Sequence, residues 1–516
     1  MPVGLRPNRG DDDGPDASGR EAISTPRSPR WGMTNARVSW LFAAALVTYY
    51  VVSFLYGSGL SAGGGVGWDG TGYTLEATKA FDQAFGANRP LVPTGLNAYS
   101  VGRLLPSFLL YWVGRLLGLD LLNRGVWRGL FYVYDCLLVL VVLVVTHRVA
   151  VRLEMSWRRH ALLLLALCGN FCNLRFLTYY PTLTDTTAFF LGAMSYYVYL
   201  LGRDYWLLPL LVLGAGTWPT AGLFTGLLFV YPRGEPFAEP APETRYVHLS
   251  YGLLAAGVLY LWFAYRSPAV LERRFALVSF AVGMAYIGYY AAFLPRLEWK
   301  RFLTQLKPAR VALVAIILFA AAVARAHLTS YYGLPPSAPS LQYVVGLYLD
   351  MSLQWPAGFL AQQLLYFGPA MLLFLVHFPK IARGQIGSPG LLLTVLLTVL
   401  AMIGLEQRQS VFQAPILIFM AIAALDENTI DRWTLLAFAA TSLIAARLFL
   451  PLNIPEAALN LADPGRFPQQ FFFSTLYLVS YGGYVLMLIT ASAVALPMLI
   501  ERAVKAGILP VRRAHQ

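Results

Sequence analysis

The sequence is poor in charge, and this shortage excludes a soluble globular domain. Only 13% of the 516 residues are Asp, Glu, Lys or Arg, whereas 57% are hydrophobic. Soluble domains carry roughly 25% charged residues. Because so few charges cannot cover a water-facing surface, lipid must be the solvent for most of the chain.

Cysteine and histidine are also scarce. The three cysteines, Cys136, Cys168 and Cys172, lie in apolar stretches, which favours packing over a ligand role. The six histidines are scattered, so the residues predict no metal site and no haem. Lys and Arg, which give the formal charge of +13, fall mainly in short segments between apolar runs. That placement indicates membrane orientation and argues against a nucleic-acid partner.

Apolar runs that approach the length of a membrane span dominate the rest of the chain. About 20 helical residues cross roughly 30 Å of hydrocarbon with every backbone group bonded internally. The predicted fold is therefore all-α, a polytopic transmembrane bundle of about 12 to 14 helices. Residues 1–37 are predicted as a disordered cytoplasmic tail, 38–500 as the transmembrane domain with a retained signal anchor from Val38, and 501–516 as a basic cytoplasmic tail.

Basic loops set the predicted orientation, because short cytoplasmic loops collect Lys and Arg. The clearest are His147–His160, Pro295–Arg310, Lys380–Arg383 and the tail from Arg502. All four fall on one side only if the apolar block 205–231 is a tight hairpin that turns near Trp218 and Pro219. The segments then predicted outside are 58–128, 174–184, 327–361, 405–410 and 451–470.

The first outer loop, 58–128, is too long for a simple connection and is predicted to have its own structure. It carries GWDGTGYTLEATKAF, in which Asp69 follows Trp68. Tyr73 to Phe85 and Val101 to Leu119 have the pattern of amphipathic helices that lie along the membrane interface.

Two further outer turns carry charge. In YYPTLTDTTAFF, Asp185 follows Pro181 and can serve either as a helix N-cap or as a functional acid. In GLEQRQSVFQAP, Glu406 and Arg408 occupy a tight turn between apolar helices. They are either a paired surface turn or a functional group, since charges near membrane depth usually face a polar interior.

The order of these features resembles the GT-C superfamily of polytopic glycosyltransferases, such as the protein mannosyltransferases and aminoarabinose transferases. It comprises a first helix, a long outer loop with an early acid, interfacial helices, the stretch TDTTAFFLGAMSYYVYLLGRDYWLLPLLVLGAGTWPTAGLF, and later EQRQSVFQAPILIFMAIAAL. The resemblance covers about residues 30 to 425 as an architecture.

The resemblance implies a polyprenyl-phosphate-linked sugar donor and a glycan, lipid or protein acceptor on the outer face. Asp69 matches the first-loop carboxylate that activates the acceptor hydroxyl, Asp185 matches the second acidic position, and Arg408 matches the arginine after the late outer turn. Many members carry paired acids where this chain has a single WDG, which leaves the use of a divalent cation open.

The chemistry of the donor adds candidate binding residues. Arg103, Arg175 or Arg408 can hold its phosphate, because a guanidinium binds phosphate bidentately. The aromatic residues of the outer segments belong either to the interfacial belt or to a sugar-stacking surface. They are Trp68, Tyr73, Tyr179 and Tyr180.

A transporter or flippase of a lipid-linked or small-molecule substrate is the alternative, since it too has many helices. Transporters usually place charges near the bilayer midplane, whereas the notable acids here cluster at one face. The sequence favours the enzyme, in a bacterial inner membrane with its site outside.

Overall fold

The computed structural model describes residues 34–57, 66–85, 96, 98–231, 238–239, 275–293, 296–297, 299–334, 356–404, 407–448 and 481–505, and single positions at 252, 255 and 257. This part is helical apart from one short antiparallel pair, Ala238–Glu239 with Arg296–Leu297. The predicted all-α class is confirmed for it. The predicted tail 1–37 lies outside the described residues up to position 33, as does 506–516.

The helices begin in the first half of the chain. They are α1 (Asn35–Tyr56), α2 (Trp68–Thr71), α3 (Ala77–Phe85), α4 (Ala98–Val101), α5 (Leu105–Leu116), α6 (Arg124–Arg152), α7 (Trp157–Cys168), α8 (Leu177–Tyr179), α9 (Asp185–Leu200), α10 (Leu207–Thr217) and α11 (Pro219–Val230). Two π-helical segments, Gly72–Glu76 and Cys172–Phe176, join α2 to α3 and precede α8.

The second half continues in the same way. Its helices are α12 (Ala276–Phe293), α13 (Trp299–Thr304), α14 (Pro308–Tyr331), α15 (Gly358–Phe367), α16 (Ala370–Gly384), α17 (Pro389–Gly404), α18 (Ala414–Ala423), α19 (Arg432–Ala446) and α20 (Tyr481–Lys505). Short 3₁₀ turns lie at Asp204–Trp206, Gln407–Ser410 and Glu427–Thr429.

Within the described residues, four helices are long and apolar enough to cross a membrane, namely α1, α6, α12 and α14. The number rises to six if each of two bent helix pairs counts as one span. These helices are compatible with a multi-pass membrane protein. The predicted count of passes stays a prediction, since runs such as 247–265 and the start of 472–499 fall largely outside the described residues.

The block 205–231 forms the predicted hairpin. Helices α10 and α11 meet at Trp218, whose extended backbone ends one helix and starts the next. A Cβ on Gly214 would lie 3.0 Å from the Gly222 nitrogen, and one on Gly226 would lie 3.7 Å from Leu211. Positions before the turn thus pair in reverse order with positions after it, so the helices pack antiparallel through close glycine contacts.

Two apolar runs that were predicted as single spans are bent in the middle, so each is either a broken span or a re-entrant loop. The run 160–175 bends by 53° between α7 and the π-helical segment, and the run 362–377 bends by 111° between α15 and α16. Gly368, with φ of +77°, ends α15, and Pro369 has no N–H to continue the ladder. The chain therefore changes direction sharply between α15 and α16.

The connecting segments sort into two groups at opposite ends of the bundle. One group, which we name the basic end, contains 147–160, 380–388 and 425–432. Its contacts include the Ser156 N–H donating to the Glu427 carboxylate at 2.9 Å and the Lys380–Asp426 ion pair at 2.6 Å. The Tyr199 hydroxyl donates to Ser388 at 3.0 Å and adds the end of α9 to the group.

The other group, which we name the site end, contains 66–85, 98–103, 173–187, 218, 365–369 and 407–410. Here the Tyr50 hydroxyl donates to the Asn173 carbonyl and the Tyr132 hydroxyl to the Tyr50 carbonyl, which fixes α1, α6 and the π-helical segment together. The described parts of the predicted outer segments 58–128, 174–184 and 405–410 fall together as charge alone predicted, whereas 451–470 lies outside the described residues.

Candidate functional site

The WDG segment of the first loop lies directly on the chain that precedes α9. The Gly70 N–H donates to the Tyr180 hydroxyl at 3.1 Å, and the Thr182 hydroxyl donates to the Val66 carbonyl at 2.5 Å. Gly67 has φ of +76°, and a Cβ there would overlap the Tyr180 ring. A Cβ on Gly70 would overlap Thr182. Both glycines are therefore required for this close approach.

Asp69 is the second residue of the short helix α2 and is partly exposed. Among the described residues, its carboxylate has no hydrogen bond or ion pair. Burial raises the pKa of Tyr180, and the negative charge of Asp69 contributes in the same direction. The Asp69 carboxylate therefore lies close to the Tyr180 hydroxyl, which keeps its proton.

Asp185 and Arg408 form a bidentate ion pair. The Arg408 Nε donates to Oδ1 of Asp185 at 2.9 Å and Nη2 donates to Oδ2 at 3.0 Å. The Tyr366 hydroxyl adds a bond to Oδ1 at 3.2 Å. The side chains are only 3% (Asp185) and 14% (Arg408) exposed. Two turns that are 223 residues apart in sequence are thus joined by fork geometry, the strongest form of carboxylate recognition.

The N-cap interpretation of Asp185 does not describe this geometry. Asp185 is the first residue of α9, its predecessor Thr184 occupies the cap position, and that threonine makes no side-chain cap bond. The Asp185 carboxylate instead bonds Arg408 and Tyr366. Its position in the first turn still places a negative charge at the positive end of the helix dipole.

The remaining predicted binding residues make other contacts. The Arg103 guanidinium lies 3.7 Å over the ring of Trp218, at the turn of the hairpin. Arg175 lies in the second π-helical segment beside Tyr49, and Tyr73 is buried in the core. Glu406 lies outside the described residues, and of Trp68 only the backbone is described.

Two buried charged residues at the site were not predicted. Asp135 of α6 is 1% exposed and lies against Thr186 and next to Asp185. Arg447 caps α19 with φ of +55°, is buried, and donates to the Leu365 carbonyl at 3.3 Å. A lone acid in the apolar run YVYDCLL and a lone arginine in LIAARLFL are the signals that would have found them.

An aromatic layer separates the two buried arginines. The Tyr366 ring centroid lies 5.7 Å from those of Phe171 and Phe176. Arg408 is 5.5 Å from the Phe176 centroid, and Arg447 is 3.8 Å from that of Phe171. Each guanidinium faces an aromatic ring in a site away from water, where cation–π attraction is strongest.

Both π-helical segments of the described residues border this site. Gly72–Glu76 follows the WDG helix, and Cys172–Phe176 supplies the phenylalanine under Arg408. Single-turn π segments occur frequently at functional sites because they redirect side chains within a helix. Their placement supports a functional interpretation of this end.

The described residues contain no group of three or more His, Cys, Asp or Glu side chains that is arranged to hold a metal ion. Both oxygens of Asp185 already bond Arg408, so Asp185 has little coordination left for a metal ion. The described side chains alone therefore do not build a divalent-cation site, and the cation stays an open expectation.

Comparisons with protein-family models, with curated proteins and with solved structures gave no match for this chain.

Proposed function

We propose that the chain is a membrane glycosyltransferase of the GT-C type that uses a polyprenyl-phosphate-linked sugar. The observation that carries the proposal is the contrast between two acids at the same end. Asp69 is partly exposed with no described partner for its carboxylate, whereas Asp185 is buried and held by Arg408. One acid is placed to take a proton, and the other to fix a cation.

In the proposed reaction, Asp69 accepts the proton of the acceptor hydroxyl as its oxygen attacks the anomeric carbon. The bond from that carbon to the phosphate oxygen breaks, and polyprenyl phosphate leaves with the electron pair. A general base contributes about 10²- to 10⁴-fold. A glycan, lipid or protein supplies the hydroxyl.

Asp185 is proposed as a positioning residue. It holds Arg408 from two nitrogens, so the guanidinium keeps one orientation while negative charge develops on the leaving group. Preorganised cations of this kind stabilise transition states without reorganising during the reaction. Within the proposal, Asp185 therefore acts by orienting Arg408 and not as a second catalytic acid, the role that the sequence led us to expect.

The proposed location is a bacterial inner membrane with the site end outside. The grouping of the basic loops at the opposite end supports this orientation, since cytoplasmic loops collect Lys and Arg. Membrane lipids surround the exposed apolar faces in this arrangement, and the donor reaches the site from the bilayer.

The proposal is tested with purified protein in detergent and synthetic polyprenyl-phosphate sugars. Mass spectrometry of the products should detect transfer to a hydroxyl acceptor and release of polyprenyl phosphate. Absence of any conversion across donors carrying hexoses and pentoses, with a folded protein, would overturn it.

A transporter or flippase is the second candidate, and two observations favour it. Asp135 is a buried acid well inside α6, and two helix pairs are broken near it. Transporters commonly combine broken helices with buried charges. Reconstituted vesicles discriminate the two: a transporter moves a labelled lipid-linked sugar between leaflets without changing it, whereas the enzyme changes it with no second compartment.

A further inference from the structure

Two arginines from distant parts of the chain meet at one turn of the first loop. Arg103 follows Gly102, and a Cβ on Gly102 would lie 3.5 Å from each of Cζ, Nε and Nη1 of Arg325. Equal distances to three guanidinium atoms mean that Arg325 lies flat against Gly102. The turn between α4 and α5 therefore contains one arginine, Arg103, and has the guanidinium of a second, Arg325, packed on its Gly102.

Trp218 fixes the first of these arginines. The Arg103 guanidinium lies 3.7 Å over the indole, and both side chains are buried. Tryptophan gives the strongest cation–π contact of the aromatic residues. The hairpin turn between α10 and α11 thus holds Arg103 in one orientation before any ligand arrives.

The same turn is joined to the helix of Asp69. A Cβ on Gly72 would lie 2.9 Å from the Ser100 hydroxyl. Gly72 is one helical turn after Asp69, and Ser100 is one helical turn before Arg103, with the Ser100 carbonyl accepting from the Arg103 N–H at 2.9 Å. The arginine pair and the candidate base therefore belong to one packed unit.

Helix α14 leads from the opposite end to this turn. Arg310, near its start, bonds Asp204 at 2.9 Å and the Phe229 carbonyl at 3.0 Å. Arg325 lies 15 residues further on, about 22 Å along the axis. The outward side of α14 between them is apolar and exposed at Ile316, Phe319 and Val323. The exposed apolar face of α14 thus ends near Arg325, beside the turn that contains Arg103.

On the basis of the function proposed above, we propose that Arg103 and Arg325 bind the phosphate of the polyprenyl donor, with the isoprenoid chain on the exposed face of α14. Two guanidinium forks match the phosphate oxygens, and the apolar face matches the tail. Arg408 keeps the role proposed above, facing the charge that develops on the leaving group, and is not the first ligand of the donor phosphate.

Charge changes during the reaction explain the need for two arginines. The donor phosphate is a diester with one negative charge, and the released polyprenyl phosphate is a monoester that gains further negative charge when the sugar–oxygen bond breaks. A pair of fixed cations stabilises the product-like charge more than the diester. The pair thus favours the leaving group.

The test measures binding of farnesyl phosphate, which has no sugar, to the full chain in detergent by native mass spectrometry and by a titration of thermal stability. Arg325→Gln should weaken binding by about 10- to 100-fold, the effect of one lost charge-assisted contact. Arg310→Gln is the matched control on the same helix and should leave affinity within about 3-fold. Equal affinity of the wild type and Arg325→Gln would overturn the proposal.

Further ligands separate the sources of affinity. Farnesol and inorganic phosphate should each bind far more weakly than farnesyl phosphate, and phosphatidylglycerol should not displace it. Displacement by phosphatidylglycerol, or tight binding of inorganic phosphate alone, contradicts a site for the polyprenyl donor. Arg325→Lys keeps the charge and should retain intermediate affinity, which separates recognition from a folding defect.

The outcome is independent of catalysis. If farnesyl phosphate binds through Arg325 but no sugar is transferred, the phosphate site stands and the enzyme proposal fails. If transfer occurs and only an Arg408→Gln variant loses farnesyl phosphate, the enzyme stands and this assignment fails.

Discussion

The two ends of the bundle use charge in different ways. At the basic end, the Lys380–Asp426 pair has side chains that are 52% and 72% exposed, and such pairs contribute little to stability. At the site end, the Asp185–Arg408 pair is almost entirely buried, where desolvation is costly. The charged side chains at the basic end join loops and stay exposed, so pairing them costs little desolvation. The pair at the site end is buried, and its burial carries a desolvation cost. A buried pair of this kind is expected where orientation of a charge matters for function.

The sharpest test of this contrast is Asp69→Asn, which should lower sugar transfer by about 10²- to 10⁴-fold. Its carboxylate has no described partner, so the thermal unfolding midpoint should stay close to that of the wild type. Transfer is measured with the synthetic donor. Asp120→Asn is the matched control, because Asp120 is an exposed acid of the same loop whose carboxylate accepts from the nearby Leu122 N–H. Wild-type transfer by Asp69→Asn would contradict the assignment.

Asp185→Asn should give the largest loss of stability, about 3 kcal/mol in the free energy of unfolding, because it leaves Arg408 buried without its carboxylate. Transfer should fall as well. The double variant Asp185→Asn/Arg408→Gln removes both charges and should recover part of the stability. Denaturant titration checks both values, and a single variant as stable as the wild type would mean that the pair is solvated.

Tyr366→Phe should have a smaller effect, about 1 kcal/mol, because it removes one hydrogen bond to Asp185 and keeps the aromatic packing. The bidentate bond to Arg408 remains, so transfer should decrease only modestly. Loss of transfer equal to that of Asp185→Asn would show that the tyrosine has a direct role.

At the basic end, Lys380→Ala should change the free energy of unfolding by about 0.5 kcal/mol or less. High salt should reduce even this difference, since exposed pairs are screened. A change as large as that of Asp185→Asn would remove the distinction between the ends.

Glu427 should have the smallest effect on stability, and the sign of its pH dependence follows from its pKa. The backbone N–H of Ser156 and, less strongly, Arg159 hold the pKa of Glu427 below its ordinary value of 4.5. The folded state therefore binds a proton less readily than the unfolded state. The resulting stabilisation is present above pH 4.5 and is lost as the pH falls through the lowered pKa. Glu427→Gln should remove only this component from the pH dependence of the unfolding midpoint.

Charge patterning predicted the large-scale arrangement well. The four basic loops fall on one side of the membrane only if the chain forms a hairpin at Trp218. The close approach of Gly214 to Gly222 confirms that hairpin. The sequence predicted Asp185 and Arg408 as candidate site residues. It did not predict their direct bond, because 223 residues separate them and only tertiary packing joins them.

The breaks were missed because hydropathy is insensitive to backbone direction. The run 362–377 is apolar apart from Gln362, Gln363 and His377, and its Gly368–Pro369 pair was the available signal for a break. Asp135 was missed because its significance comes from α9 beside it, which only tertiary packing reveals. The roles of Trp68 and Glu406 stay predictions.

The short hairpin has a consequence for the lipid around it. Its arms have 11 and 12 residues, which span only about 18 Å, against roughly 30 Å for typical hydrocarbon. Local thinning of the bilayer is one way in which such a hydrophobic mismatch is relieved. Helix α14 packs against both arms, so the thinned flank adjoins Arg325. Headgroups there would sit deeper than elsewhere around the protein, and thinner membranes would be its preferred setting.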